Sequence, residues 1–295
     1  MKKSVIAIGN FDGLHLGHAQ LLANARMVAN KNGFNFTILT FSPHPRSIFQ
    51  PNIAPFRITS DGVKADFVNK IIQPDNYIVL DFDDVLQHKS ADDFIDDILI
   101  NQLNAGMVIV GRNFHFGHKR IGNIGTLQAR PEFETMAADL LDVDGRAVSS
   151  TRIREHLKNA EIAQANALLG WDWYIQSEVV HGDKRGRELG YPTANMHFGK
   201  TIVPSHGIYA VRVLVDGEGT WRNGAANIGI RPMFETAMPM LETFIFDFDG
   251  DLYGQDLKVK PVQKLRNEMK FDNLDDLIAQ MDKDCKLARN ILHND

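Results

Sequence analysis

The stretch Ser4-Val5-Ile6-Ala7-Ile8-Gly9-Asn10-Phe11-Asp12-Gly13-Leu14-His15-Leu16-Gly17-His18 runs from a short apolar segment through a glycine turn into a helical pattern. That order joins a buried strand to a crossover helix. Working outward, residues 4–9, 35–41, 77–80, 106–110 and 135–140 read as strands. Residues 16–31, 60–70 and 90–104 read as helices, the last opened by Ser90 and Asp93 at capping-box spacing. The expected fold of this half is α/β, a doubly wound parallel sheet. In such sheets ligands sit outside the carboxyl ends of the strands, so the loops after Ile8, Thr40 and Val110 are the informative ones.

The pattern changes after Gly170. Residues 179–262 alternate with period two, as in Ile208-Tyr209-Ala210-Val211-Arg212-Val213-Leu214-Val215, and turn signals such as Asp216-Gly217 and Asp249-Gly250 separate the runs. This predicts a small antiparallel β-barrel. A C-terminal helix over about residues 273–290 places Leu274, Leu277, Ile278, Met281 and Cys285 on one face, so Cys285 reads as a buried thiol. The helical segment 150–169 precedes the change, giving domains at 1–170 and 171–295.

Composition agrees with two ordinary globular domains: 295 residues, 44% hydrophobic and 23% charged. No apolar run reaches the ~20 residues of a membrane span, and the short run after Met1-Lys2-Lys3 does not make a secretory signal. One cysteine forms no internal disulfide, which fits a reducing cytoplasm. A net charge of -5 has the wrong sign for a nucleic-acid-binding module, so a bound nucleotide should be small.

Three glycines, Gly9, Gly13 and Gly17, let the first loop turn sharply and approach a ligand. His15 and His18 lie three apart at a helix amino end, where unpaired N–H groups and the helix dipole favour an anion. The two imidazoles beside that field form a candidate phosphate site. Pro43-His44-Pro45, taken alone, is a rigid turn, and Ser150-Thr151 a helix N-cap beside the solvated Arg152 and Arg154. In the second half, residues 181–195 combine Gly182, Gly186 and Gly190 with Lys184, Arg185 and Arg187, a pliable basic loop suited to a triphosphate. It runs into Pro192-Thr193-Ala194-Asn195, whose Thr hydroxyl and Asn carbonyl oxygens are hard ligands that suit magnesium.

The segment Gly9-x-Phe11-Asp12-Gly13-x-His15-x-Gly17-His18 resembles the signature of the nucleotidylyltransferases, in the form carried by the bacterial bifunctional riboflavin kinase/FMN adenylyltransferases. Thr40-Phe41-Ser42-Pro43-His44-Pro45, Val110-Gly111-Arg112-Asn113-Phe114-His115-Phe116-Gly117 and Ser149-Ser150-Thr151-Arg152-Ile153-Arg154 agree in order and spacing. The second half resembles the family's riboflavin kinase module through Pro192-Thr193-Ala194-Asn195, Gly207-Ile208-Tyr209, Asn227-Ile228-Gly229-x-Arg231-Pro232 and residues 242–254. The resemblance covers about residues 3–290.

It implies that His15 and His18 contact the ATP phosphates, that Asn113 lies among the nucleotide and flavin contacts, and that Ser150, Thr151 and Arg154 bind the triphosphate. It further implies nucleotide binding by Gly9, Phe11, Asp12, Gly13, Gly17 and His44 in the first half, and by Gly182, Lys184 and Arg187 in the second. Thr193 and Asn195 would coordinate magnesium and ATP, Glu242 would take the proton of the riboflavin 5′-hydroxyl, and Arg266 would sit near the flavin. Met233, Phe244 and Asn267 stand where the family commonly has Thr, His and Asp, and Asn113 where it often has Asp. The activity so implied converts riboflavin to FMN and FMN to FAD with Mg-ATP. The rival readings are a chain with one active half and a flavin- or nucleotide-binding regulator without turnover.

Overall fold

The structure, a computed structural model, describes residues 2–182, 190–233 and 236–294. Contacts divide it into two compact units: Met1–Ile53 with Asp61–Ser150, and Ala54–Ser60 with Thr151–Asp295.

The first unit is built on a five-stranded sheet of β1 (Ser4–Ile8), β2 (Asn35–Ser42), β3 (Asn76–Asp81), β4 (Ala105–Gly111) and β5 (Glu134–Ala138), ordered β3-β2-β1-β4-β5. Every neighbouring pair is parallel. All five residues of β1 are buried, and alternate side chains enter different cores. Val5 and Ala7 join Leu21, Leu22 and Ala25 of the first helix, while Ile6 and Ile8 join Phe94, Ile95 and Leu99. This two-sided burial explains why the strand reads as an unbroken apolar run. The helix Leu16–Asn32 ends where Gly33 takes φ +66°, a left-handed cap whose N–H reaches back to Ala29 and Asn30.

The doubly wound class is therefore as expected, with local differences. The second helix is α over Asp61–Phe67 and π over Val68–Ile72, and the third passes from Ala91–Asp93 into a π segment at Phe94–Gln102. The strand expected to reach residue 140 stops at Ala138, and Leu140 is exposed. Five-residue helices at Pro45–Phe49, Asp84–His88 and Ile124–Gln128, and the two-residue strands β6 (Asp142–Val143) and β7 (Arg146–Ala147), were not legible in the sequence, being too short to show a period.

The second unit is a closed barrel of β8 (Ile175–Val180), β9 (Ala194–His197), β10 (Gly207–Val215), β11 (Arg222–Met233), β12 (Thr236–Ile245) and β13 (Asp256–Arg266), ordered β10-β11-β12-β9-β8-β13. Tyr209, Ala226, Thr243 and Ala194 form a laterally paired, buried row across four strands. The alternate residues Ala210, Ala225 and Phe244 face outward, beneath Cys285, Ala288 and Leu292 of the C-terminal helix Leu274–Asn294. Cys285 is on the packed face as expected. Leu274 is not: it is 53% exposed, and the helix residues that join the apolar cluster on the barrel begin at Cys285.

The second unit contains more than the barrel strands. The helices Ser150–Lys158, from Thr151 on, and Ile162–Leu169 group with the barrel, as does the short segment Ala54–Ser60. Arg57 forms a parallel bridge with Thr201, and the wholly buried Trp173 donates from its indole Nε1 to the Ile58 carbonyl at 2.7 Å. Helical periodicity cannot say which core a helix serves.

Candidate functional site

Because the first sheet is parallel, the loops after β1, β2 and β4 open at one edge. The loop after β1 is held in an unusual conformation: Phe11 and Leu14 have φ of +48° and +43°, around Gly13 at +87°. Left-handed conformations cost a non-glycine residue about 1–2 kcal/mol each, and here the burial of Phe11 at 2% and Leu14 at 3% exposure holds them in place. The loop delivers His15 as the N-cap of the first helix rather than as a helical residue, with its Nδ1 accepting from the His18 N–H at 3.3 Å. The His15 and His18 rings stack at 3.6 Å between centroids, 17° from parallel, and Phe11 meets His18 edge-on at 5.3 Å. Gly17 makes room for this stack, since a Cβ there would lie 3.3 Å from His15 Cε1 and Nδ1. Gly9 serves Phe11 similarly, its added Cβ falling 3.1 Å from the ring. Two imidazoles at the amino end of a 17-residue helix make a donor surface suited to phosphate.

Other predicted residues take clear places. Ser150 Oγ donates to the Asp12 carbonyl at 2.9 Å, tying its segment to this loop across 138 residues. His44 follows the cis Ser42–Pro43 peptide and caps Pro45–Phe49, its Nδ1 accepting from Arg46 N–H. Asn113 is exposed in the loop after β4, and its carbonyl lies 3.0 Å from His115 Nδ1. Thr151 is exposed on the first turn of its helix. Arg154 donates to the Phe56 carbonyl at 2.8 Å and lies over the Phe56 ring, within the second unit. Lys64, which the sequence reading passed over, is 2% exposed and donates to Asn10 O and Thr40 Oγ1; its only sequence signal is a lysine among core positions of a short helix.

On the barrel, β-pairing places Asn227 opposite Glu242 and Glu242 opposite Asn195. Directly paired residues share a face, so the three side chains form one polar row on the barrel's exterior, beside the row of Ala225 and Phe244 that the C-terminal helix covers. Asn195 is 4% exposed. Its Nδ2 donates to the Thr193 carbonyl at 3.3 Å, while the buried Oδ1 atoms of Asn195 and Asn227 meet no hydrogen-bond partner among the described residues. Gly182 lies against the Asn195 amide, where a Cβ would fall 2.4 Å from Nδ2.

Tyr191 anchors the start of this segment, its hydroxyl donating to Asp282 of the C-terminal helix and its ring meeting Phe244 at 5.3 Å. The hydrogen bond to Asp282, aided by burial, pushes the Tyr191 hydroxyl up to about 12. Arg266 is engaged by Asp284 through Nε and Nη2, at 3.0 and 2.7 Å, which fastens the end of β13 to the same helix. Lys184 and Arg187 lie outside the described residues.

Two family models match, FAD synthetase over residues 1–152 and riboflavin kinase over residues 169–292. A bifunctional riboflavin kinase/FMN adenylyltransferase of Haemophilus influenzae is 38% identical over 287 residues, covering 96% of this chain and 92% of the relative. The chain belongs to the bifunctional riboflavin kinase/FMN adenylyltransferase family. The Bacillus subtilis member is 35% identical, over 99% of this chain and 93% of its own length. A crystal structure from Streptococcus pneumoniae, described as a macrolide-efflux protein, superposes with a TM-score of 0.85 at 29% identity, covering 98% of this chain and 94% of that one. Among the described residues of this chain, no helix is long and apolar enough to cross a membrane. Family membership agrees with both motif sets: the His15–His18 loop lies in the first unit and the Thr193–Asn195 segment in the second.

Proposed function

We propose that this chain phosphorylates riboflavin to FMN on the barrel and adenylylates FMN to FAD on the parallel sheet, using ATP in both reactions. The observation that carries the reading is that the FAD synthetase match over residues 1–152 contains the stacked His15 and His18, and the riboflavin kinase match over residues 169–292 contains the row of Asn195, Glu242 and Asn227.

In the adenylyl transfer, an FMN phosphate oxygen attacks the α-phosphorus of ATP and the bond to the departing pyrophosphate breaks. No protein nucleophile is needed; the work is alignment and stabilisation of charge. His15 and His18 supply ring N–H donors and the helix amino end supplies backbone donors, with Ser150 holding the loop at Asp12. His44 follows β2 and Asn113 follows β4 at the same sheet edge; His44 is proposed for the nucleotide and Asn113 for the nucleotide and flavin contacts. Thr151 and Arg154 are proposed for the triphosphate.

In the kinase reaction, the riboflavin 5′-hydroxyl oxygen attacks the γ-phosphorus, ADP leaves, and the hydroxyl proton passes to the Glu242 carboxylate. Asn195 fits a magnesium ligand: its Nδ2 is occupied by the Thr193 carbonyl, which leaves the buried Oδ1 to a cation. Thr193 and Asn195 would hold the ion, which when bound neutralises phosphate charge. Gly182, Lys184 and Arg187 are proposed for the phosphates and Arg266 for the flavin side, where its pairing with Asp284 gives it a fixed orientation. Substrates are small molecules, with no role for nucleic acid or a membrane, and a cytoplasmic location fits the lone thiol Cys285.

The test is product analysis. Purified chain with riboflavin and Mg-ATP is expected to yield FMN and then FAD, and with FMN and Mg-ATP to yield FAD with pyrophosphate. FMN without FAD, or FAD only from added FMN, would reduce the activity to one half; ATP left unconsumed in both mixtures would leave a binding protein.

A further inference from the structure

Lys64 sits in the helix Asp61–Phe67 with 2% of its surface exposed, a depth at which a lysine is rare unless its ammonium is engaged. Its Nζ donates to Thr40 Oγ1 at 3.2 Å and to the Asn10 carbonyl at 3.4 Å, and lies 3.9 Å from Asp61 Oδ1. Thr40 is fully buried and its hydroxyl also donates to the Asn10 carbonyl, while Asp61 accepts from Ser42 Oγ at 3.1 Å.

Apart from Asp61 of the same helix, these groups lie at the carboxyl ends of two neighbouring strands. Asn10 opens the strained turn that ends in the stacked His15 and His18, and Thr40 and Ser42 close β2 just before His44. Packing alone would be served by Leu or Met at this position. A cation meets the unsatisfied acceptor capacity of a carbonyl and a hydroxyl, and places positive charge behind a surface that receives a polyanion.

Resting on the proposed adenylyl transfer, we infer that Lys64 is a positioning residue for that reaction: its ammonium fastens the loop carrying His15 and His18 to the loop carrying His44. Its effect is on geometry, and therefore on kcat more than on ATP binding.

The experiment uses the full chain with Lys64→Met, Lys64→Arg and Thr40→Val. FMN adenylylation is measured for kcat and for the KM of ATP, riboflavin phosphorylation is measured on the same preparations, and melting is followed so that assays run well below it. Lys64→Met is expected to lower adenylylation kcat roughly 10- to 100-fold, with a much smaller change in KM and riboflavin phosphorylation intact. Lys64→Arg should recover part of the loss, and Thr40→Val should show a smaller loss of the same kind. A lower melting temperature with wild-type kcat in Lys64→Met would make Lys64 a purely structural residue and overturn the inference. If Lys64→Met does not fold, wild-type kcat in both Lys64→Arg and Thr40→Val overturns it instead. A wild-type chain that makes no FAD from FMN refutes the first unit's proposed activity, which separates that failure from the failure of Lys64.

Discussion

Gly182→Ala tests whether the Asn195 amide is part of the kinase site, because the change is steric and acts on one neighbour. The new Cβ would lie 2.4 Å from Asn195 Nδ2, 2.8 Å from Cγ and 3.0 Å from Oδ1. Gly182 does not have the left-handed backbone that would make alanine strained in itself. Restoring ordinary contact requires the amide or the loop to move by about 1 Å, and a misplacement of that size in a group that aligns phosphates costs on the order of 10²-fold in rate. The Asn195 amide is fixed by its bond to the Thr193 carbonyl and by its place in β9, so it cannot yield without shifting Oδ1. The assay is riboflavin phosphorylation at saturating riboflavin and Mg-ATP, with FMN adenylylation as the control for folding. Kinase activity should fall about 10²-fold while FAD formation from FMN stays unchanged. A variant that phosphorylates riboflavin at the wild-type rate would show that the loop moves freely or that the amide is not a working group.

His18→Ala removes a phosphate donor from the first unit alone and should lower FAD formation from FMN by roughly 10²-fold; equal loss of riboflavin phosphorylation would count against two separate sites. Glu242→Gln keeps the shape and the hydrogen-bonding of the side chain but not its basicity, so phosphorylation should fall about 10²- to 10⁴-fold with adenylylation unchanged. Wild-type kinase turnover in that variant would remove Glu242 from the mechanism. Burial, with Asp284 adding to it, pushes the Cys285 thiol up to about 11. The folded state thus keeps the proton that the unfolded thiol, with its pKa near 8.5, gives up. That stabilisation is complete below about pH 8.5 and is lost as pH rises through about 11. The melting temperature should decline over this window in the wild type, and Cys285→Ala should flatten part of the decline; an identical slope would place the thiol outside the linkage.

The sequence by itself determined the strand-turn-helix of residues 4–18, the change from crossover helices to period-two strands, and the residue types of both candidate sites. These are local features: side-chain periodicity follows the secondary structure a segment adopts, and a glycine turn or capping residue acts within a few positions. It also placed Cys285 on a packed face, although Leu274, eleven positions earlier on the same stripe, is exposed and takes no part in the cluster that Cys285 joins. Register and burial were decided only by the tertiary structure. Asn195, Glu242 and Asn227 become one row through strand pairings that join distant segments, and a single-residue slip would turn Glu242 to the other face. Lys64 looks like any helix lysine until its ammonium is found beneath Asn10 and Thr40. The segment Ala54–Ser60 carries no periodicity that assigns it to either core, yet its carbonyl at Ile58 and its bridge to Thr201 place it with the barrel. Such partners are set by the balance of buried area and satisfied polar groups over a whole core, a quantity no short window of sequence contains.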